Sequence, residues 1–137
     1  MLKGKLIHPE ILEALGRAGH NSKVLIADGN YPFSTASARR ARLVFLNLSP
    51  GLVKVTDVLA ALVEAVPIEA AAVMQPPDEM PPIFAEFSQL LPAGIELQPL
   101  ERYSFYAAGR DETVALVIAT AEERLYANIL LTIGYIG

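Results

Sequence analysis

Residues 19–32 read GHNSKVLIADGNYP, in which the apolar run Val24–Ala27 stands between two turn-forming segments. Two further runs of the same kind occur, LVFLNL at residues 43–48 and VALVIA at residues 114–119. Near-continuous apolar runs of this length are typical of strands that are buried on both faces of a sheet. The three runs therefore predict a sheet that is covered by helices on both sides.

Helical patterns lie between these strands. Residues 9–18 begin with a proline and carry a narrow apolar stripe, and residues 57–66 follow Thr56, which suits an N-cap. Residues 83–91 form a third candidate helix, whereas residues 70–74 fit either a strand or a helix. Alternating strands and helices predict one domain over residues 1–137, an α/β fold of three layers (αβα) with a mixed, mainly parallel sheet.

The last third of the chain is predicted to be rich in strands. Candidate strands cover residues 95–98, 102–106, 114–120 and 129–135, and the spacing on either side of Gly109 predicts an antiparallel hairpin. Because small-molecule sites often lie where the strands of such a sheet end, polar side chains at these points are the first candidates for a binding site.

Composition restricts the partners of the protein. Hydrophobic residues make up 53% of the 137 residues and charged residues 19%, an apolar excess that predicts burial between the subunits of a homo-oligomer. The net charge of −4 argues against a nucleic-acid partner, and the short basic cluster at residues 39–42 is interpreted as a solvated turn or an interface contact. No apolar run is long enough to span a membrane, and without a recognisable signal peptide the expected location is the cytoplasm.

Few side chains are suited to catalysis. The chain has two histidines and no cysteine; His8 precedes Pro9 and is expected only to cap a helix. The histidines share no helical face, and neither a glycine-rich phosphate loop nor a nucleophile elbow occurs, so no metal and no cofactor are predicted. His20 and Asp28 remain, at the two ends of the first strand, where a solvated histidine and an ordinary Asp-Gly turn are the simpler interpretation.

Tyr126 and Asn128 form a second candidate pair. They are two residues apart on a predicted strand, which would direct both side chains to one face. A phenol and an amide side by side suit the hydroxyl groups of a sugar. The simpler alternative is that the tyrosine packs in the core and the asparagine caps a turn.

Four short motifs together resemble one known family. These are AGH at residues 18–20, the aspartate and proline of DGNYP at residues 28–32, RYSFY at residues 102–106, and YANILL at residues 126–131. Their order and spacing are similar to those of the D-ribose pyranase and L-fucose mutarotase family. The resemblance implies an α/β fold, a sugar pocket that bridges subunits, and ring-shaped homo-oligomers such as pentamers or decamers.

The resemblance also implies roles for individual residues. His20 matches the catalytic histidine of the family, and Asp28, Arg102, Tyr126 and Asn128 match its sugar-binding positions. Arg102 and the RYSFY motif favour the fucose branch, whereas the DGNYP turn and the connection after Tyr106 depart from the usual pattern. The expected activity is the interconversion of anomers or ring forms of a free monosaccharide, L-fucose-like or ribose, without a cofactor or metal.

Geometry and function leave alternatives open. An extended chain could separate His20 from Asp28 by up to about 26 Å, so either the GHNS segment folds back or the two residues meet only across a subunit boundary. A non-catalytic sugar-binding protein linked to uptake or regulation would need Asp28, Tyr126 and Asn128 but no titratable His20. A protein that uses its apolar surface to bind partners would bind no sugar.

Overall fold

The computed structural model describes all residues from 1 to 137 and contains six strands and four helices. In chain order these are α1 (Pro9–Arg17), β1 (Lys23–Ala27), β2 (Arg42–Phe45), α2 (Val55–Leu62), β3 (Ile68–Met74), α3 (Pro82–Leu90), β4 (Leu97–Leu100), α4 (Arg102–Gly109), β5 (Val114–Ala119) and β6 (Ile129–Ile133). None of the helices has the length and apolar character that crossing a membrane requires.

The six strands form one mixed sheet in the order β2-β5-β1-β6-β3-β4. The pairs β2–β5, β5–β1 and β3–β4 are parallel, and β6 runs antiparallel to both of its neighbours. Strands β1 to β5 therefore all point in one direction. Their carboxyl ends meet the amino end of β6 at a single edge of the sheet, which we call the carboxyl edge. The opposite edge is called the amino edge.

Alternate residues of the central strands fill two cores. In β1, Val24 and Ile26 face a core that includes the buried side chains of α1, α2 and α3, and Leu25 and Ala27 face a second core. The second core lies beneath α4, which contributes Phe105, and beneath the segment that follows β1. The predicted three-layer αβα fold with helices on both faces is thereby confirmed, with three helices on one face and one on the other.

The prediction of a strand at residues 102–106 is wrong, because these residues open α4. The Glu101 carboxylate accepts the backbone N–H groups of Tyr103 and Ser104 and so caps the helix. This capping outweighs the strand preference of the aromatic residues. The predicted hairpin around Gly109 is also absent, since Gly109 ends α4 and β1 lies between β5 and β6.

Other elements differ from their predicted bounds. Helix α2 begins at Val55 and ends at Leu62, and Lys54 occupies the N-cap position that the sequence assigns to Thr56. Residues 70–74, which the pattern leaves open, belong to β3, and the strand predicted at residues 95–98 lies at Leu97–Leu100. His8 caps α1 as predicted, because its Nδ1 accepts the N–H of Ile11 at 3.4 Å.

Candidate functional site

The sheet brings candidate residues from distant parts of the chain to its carboxyl edge. Asp28 follows β1, Arg102 opens α4 just after β4, and Asn128 immediately precedes β6. Strands β1, β6, β3 and β4 are consecutive neighbours in the sheet, so these positions lie side by side. The expected relationship between strand ends and a polar site is therefore realised at this edge.

A pocket of about 210 Å³ lies at the carboxyl edge. Four of the five candidate residues line it, namely Asp28, Arg102, Tyr126 and Asn128. Its remaining lining residues are Asn30, Tyr31, Met74, Tyr106 and Leu125. The pocket thus combines one carboxylate, one guanidinium and several amide and phenol groups with an apolar wall, and this mixture can bind a small polyhydroxylated ligand.

Asp28 and Asn128 hold each other in place. The Asn128 Oδ1 accepts the backbone N–H of Asp28 at 2.8 Å, and its Nδ2 donates to the Asp28 Oδ2 at 3.1 Å. The other carboxylate oxygen of Asp28 accepts the N–H of Asn30 at 3.0 Å. Both side chains are buried, each with 4% exposure, so their orientation is fixed before any ligand arrives.

Burial gives the Asp28 carboxyl an unusual affinity for protons. Removal of this group from water raises its pKa above the ordinary value of 3.8, and the hydrogen bonds from Asn30 and Asn128 oppose the rise without cancelling it. A carboxylate that is partly dehydrated and already oriented is a strong acceptor for a hydroxyl group.

Tyr126 and Asn128 reach the pocket by a different route from the predicted one. The strand begins only at Ile129, and Tyr126 lies in an irregular segment with a left-handed φ of 61°. The predicted common face of a strand is therefore wrong, although both side chains do line one pocket. The phenol oxygen of Tyr126 accepts a hydrogen bond from Arg102 Nη2 at 3.2 Å, a contact that raises the pKa of the exposed Arg102.

Tyr31 forms an aromatic wall of the pocket. Its ring meets Phe105 and Tyr106 edge to face, with ring centroids 6.3 Å and 5.5 Å away. Its hydroxyl donates to the carbonyl of Ala36 at 3.3 Å, and burial raises its pKa. Helix α4 can approach this ring because position 109 is glycine, where an added Cβ would lie 2.6 Å from the Tyr31 hydroxyl.

His20 lies at the amino edge, away from the other four candidates. The GHNS segment does not fold back along β1, because Asn21 donates its N–H to the carbonyl of Ile133 at the far end of β6. The exposed His20 Nε2 is 3.0 Å from Glu69 Oε1 and 3.2 Å from Oε2, and its ring meets Tyr135 edge to face at 5.3 Å. His20 also lines a wider concavity of about 740 Å³ beside α1.

Several residues near the candidates were missed by the reasoning from sequence. Glu69, which pairs with His20, lies 49 residues away in the chain, and the sequence gives no local signal of that contact. Met74 lines the pocket because β3 ends at the carboxyl edge, and Tyr106, which belongs to the RYSFY motif, lines it because α4 begins there. Glu101 caps α4, and the helix places Tyr106 about one turn from Arg102.

Two curated proteins are similar to this chain over nearly its whole length. A fucose mutarotase of Danio rerio is 32% identical and covers 99% of this chain and 95% of its own length. A D-ribose pyranase of Variovorax paradoxus is 30% identical, with 98% of each chain covered.

Two solved structures are similar to the whole fold. Bacillus subtilis RbsD complexed with D-ribose superposes with a TM-score of 0.85 at 25% identity and full coverage of both chains. The fucose mutarotase from Streptococcus pneumoniae in complex with L-fucose gives 0.81 at 25% identity, with coverage of 96% and 95%. The model of one protein family matches residues 1–136. The chain therefore belongs to the RbsD / FucU transport protein family.

Proposed function

We propose that this protein is a sugar mutarotase that interconverts anomers or ring forms of a free monosaccharide. One observation carries the proposal: four residues from separate parts of the chain, Asp28, Arg102, Tyr126 and Asn128, line a single pocket. Relatives with the names fucose mutarotase and D-ribose pyranase support this assignment.

The reaction needs only acid–base chemistry. A proton is delivered to the ring oxygen while the anomeric hydroxyl loses one, so the bond between the ring oxygen and the anomeric carbon breaks and a carbonyl forms. Closure on the other face of the carbonyl reverses both transfers. The His20 imidazole has one ring nitrogen that can donate a proton and one that can accept a proton, so it can serve in both directions, and general acid–base help of this kind contributes about 10²–10⁴-fold.

His20 would act on the pocket of another subunit. Strand β1 alone separates it from Asp28 by about 17 Å, which exceeds the size of one monosaccharide. The exposed imidazole is oriented by Glu69 and bordered by Tyr135, which is 72% exposed. At the carboxyl edge, Tyr103 and Leu125 are similarly exposed, so both edges offer apolar surface to a second copy. We expect a homo-oligomer, and the family resemblance favours a pentamer or decamer.

The pocket favours an L-fucose-like sugar over ribose. Met74, Tyr31 and Tyr106 supply an apolar wall, which suits the methyl group that distinguishes a 6-deoxyhexose from a pentose. Asp28, Arg102 and Asn128 would hold the hydroxyl groups and fix which ring atom faces His20. D-ribose remains the alternative substrate, and the cytoplasm is the proposed location of the reaction.

A second candidate function is sugar binding without catalysis. The observation that favours it is that the pocket of a single chain contains no histidine. If the chain is a stable monomer, the pocket can bind a monosaccharide but has no imidazole to move its protons. A stable monomer in light scattering would exclude the mutarotase proposal, which requires a multiple of 14.8 kDa.

Exchange NMR between anomer signals tests the proposed reaction. L-fucose and D-ribose are each measured alone, with the protein, and with an equal amount of bovine serum albumin. We expect catalytic amounts of the protein to accelerate exchange of at least one sugar, L-fucose more strongly. Exchange at the uncatalysed rate for both sugars, together with measurable sugar binding, would replace this proposal with the non-catalytic alternative.

A further inference from the structure

We infer that Arg124 is a positioning residue for the sugar pocket, which holds the segment of residues 121–128 in shape through its pairs with Glu122 and Glu86. The inference rests on the proposed function of the pocket. It concerns a residue that does not itself line the pocket and whose side-chain hydrogen bonds go to Glu122 and Glu86.

Arg124 joins two carboxylates. Its backbone N–H and its Nε donate to Glu122 Oε1 at 3.2 Å and 2.9 Å, and its Nη2 donates to Glu122 Oε2 at 2.9 Å. Its Nη1 donates to Glu86 Oε2 on α3. Two guanidinium nitrogens therefore hold Glu122 inside the segment 121–128, and the third attaches the segment to α3.

The Glu122 carboxylate needs Arg124 as its partner for charge and hydrogen bonds, because its side chain is only 3% exposed. Burial by itself would raise the pKa of Glu122, but hydrogen bonds and charge from Arg124, with a hydrogen bond from the Val55 backbone, hold it below its ordinary value. The carboxylate is consequently charged at neutral pH. A buried charge whose partner is removed must find water or move, and either change displaces the segment that carries it.

The Glu122 backbone connects this pair to the pocket. Its carbonyl accepts the N–H of Gly29 at 2.9 Å, directly after Asp28, and its own N–H donates to Thr120 Oγ1 at 3.2 Å. A shift of Glu122 would therefore displace the turn that follows Asp28 as well as the segment 121–128.

Tyr126 is the pocket residue most sensitive to such a shift. It follows Arg124 by two residues and has a φ of 61°, a conformation that a bulky residue keeps only where both flanks are held. The Arg124 pairs hold one flank, and the hydrogen bonds between Asn128 and Asp28 hold the other. When the Arg124 pairs are removed, Tyr126 can leave the position in which its phenol oxygen accepts a hydrogen bond from Arg102.

The inference predicts an effect on binding more than on chemistry. Tyr126 contributes to the sugar site, whereas the proposed acid–base group, His20, lies at the other edge of the sheet. Substitution of Arg124 should thus raise the half-saturating sugar concentration and leave the maximal rate largely intact. A general loss of folded protein would instead lower the maximal rate without changing the half-saturating concentration.

The test compares Arg124→Ala, Arg124→Lys and, as a control, Lys5→Ala, which removes an exposed ion pair with Glu64. Anomer exchange is measured against L-fucose concentration. For Arg124→Ala we expect KM to rise on the order of 10-fold with kcat within about threefold of the parent. The KM of Arg124→Lys should lie between those of the parent and Arg124→Ala, because lysine keeps the positive charge but lacks the planar guanidinium. The KM of Lys5→Ala should equal that of the parent.

An unchanged KM in Arg124→Ala, or a loss confined to kcat, overturns the inference. If Arg124→Ala does not fold, Glu86→Ala removes only the outer pair. A smaller rise in KM then supports the inference, whereas an unchanged KM overturns it. If the parent protein binds sugar but does not accelerate exchange, the proposed function fails. The dissociation constant of L-fucose, measured by titration, then replaces KM with the same expected ratios.

Discussion

His20 and Asp28 lie beyond opposite ends of the same five-residue strand, β1. His20 is held at the amino edge by Glu69, and Asp28 is held at the carboxyl edge by Asn128. Because the whole length of this strand lies between them, no side-chain movement brings the two together within one chain. The catalytic proposal therefore depends on a second copy of the protein.

Replacement of His20 by alanine should abolish accelerated anomer exchange without loss of the fold. The imidazole side chain is 55% exposed and makes contacts only at the surface, so we expect the melting temperature to change little. His8→Ala is the matched control, since this histidine caps α1 and does not line the pocket. Full exchange activity in His20→Ala would remove this residue from the mechanism.

Tyr126→Phe and Asn128→Ala should separate sugar binding from stability. The first removes only the hydroxyl that accepts Arg102, so we expect sugar binding to weaken by about 0.5–1.5 kcal/mol with little change in melting. The second leaves buried polar groups of Asp28 unpaired and should lower the free energy of unfolding by about 1–3 kcal/mol.

Sugar titrations and thermal melts on both variants check this contrast. Equal affinity of Tyr126→Phe and the parent for sugar would show that the phenol oxygen does not contact the ligand. A melting temperature of Asn128→Ala equal to that of the parent would show that Asp28 finds other partners.

The central sheet could be predicted because its strands carry their own signal. Val24–Ala27 and Val114–Ala119 are continuous apolar runs, which buried strands require wherever they lie in the sheet. The segment at residues 102–106 was predicted wrongly because its aromatic residues resemble a strand, and only a capping contact from Glu101 decides for a helix. The strand order could not be predicted either, since β6 pairs with β1 across about a hundred residues and with β3 across about sixty.

Only part of the candidate site can be predicted from the sequence, because its residues come from distant segments of the chain. Asp28, Arg102, Tyr126 and Asn128 were identified through resemblance to a family, and the structure places all four in one pocket. Tyr126 reaches it through a left-handed backbone that no alternation pattern predicts. Pairs such as Glu69 with His20 form between distant segments, so they become visible only when the sheet is assembled.

Gly109→Ala should destabilise the protein although it places a better helix former in α4. The new Cβ would lie 2.6 Å from the Tyr31 hydroxyl, whose ring is packed against three other aromatic rings. We expect a net loss of about 1–3 kcal/mol in the free energy of unfolding, measured by chemical denaturation. Gly16→Ala in α1 is the matched control, because its Cβ would meet nothing within 4 Å, and it should stabilise by about 0.5–1 kcal/mol. Two variants of equal stability would contradict the close approach at Gly109.

The raised pKa of Asp28 predicts how stability depends on pH. Between pH 3.8 and this raised pKa, the folded protein retains a proton that the unfolded chain releases, so stability falls as pH rises through that window. Asp28→Asn lacks this titration. The free energy of unfolding of the parent, minus that of the variant, should therefore decrease from about pH 3.5 to about pH 7 in denaturant titrations. An increase over the same range would show that folding favours the ionised carboxylate.

Mixing two inactive variants tests most directly whether the site is shared between copies. The variant His20→Ala retains an intact pocket. The double variant Arg102→Ala/Tyr126→Ala retains an intact His20. After the two are unfolded together and refolded in equal amounts, random assembly should make about a quarter of the sites native. Exchange NMR with L-fucose should then show about a quarter of the parent activity, whereas each variant alone shows none. No recovery in oligomers that native mass spectrometry shows to contain both variants would contradict a site built from the His20 of one copy and the pocket of another.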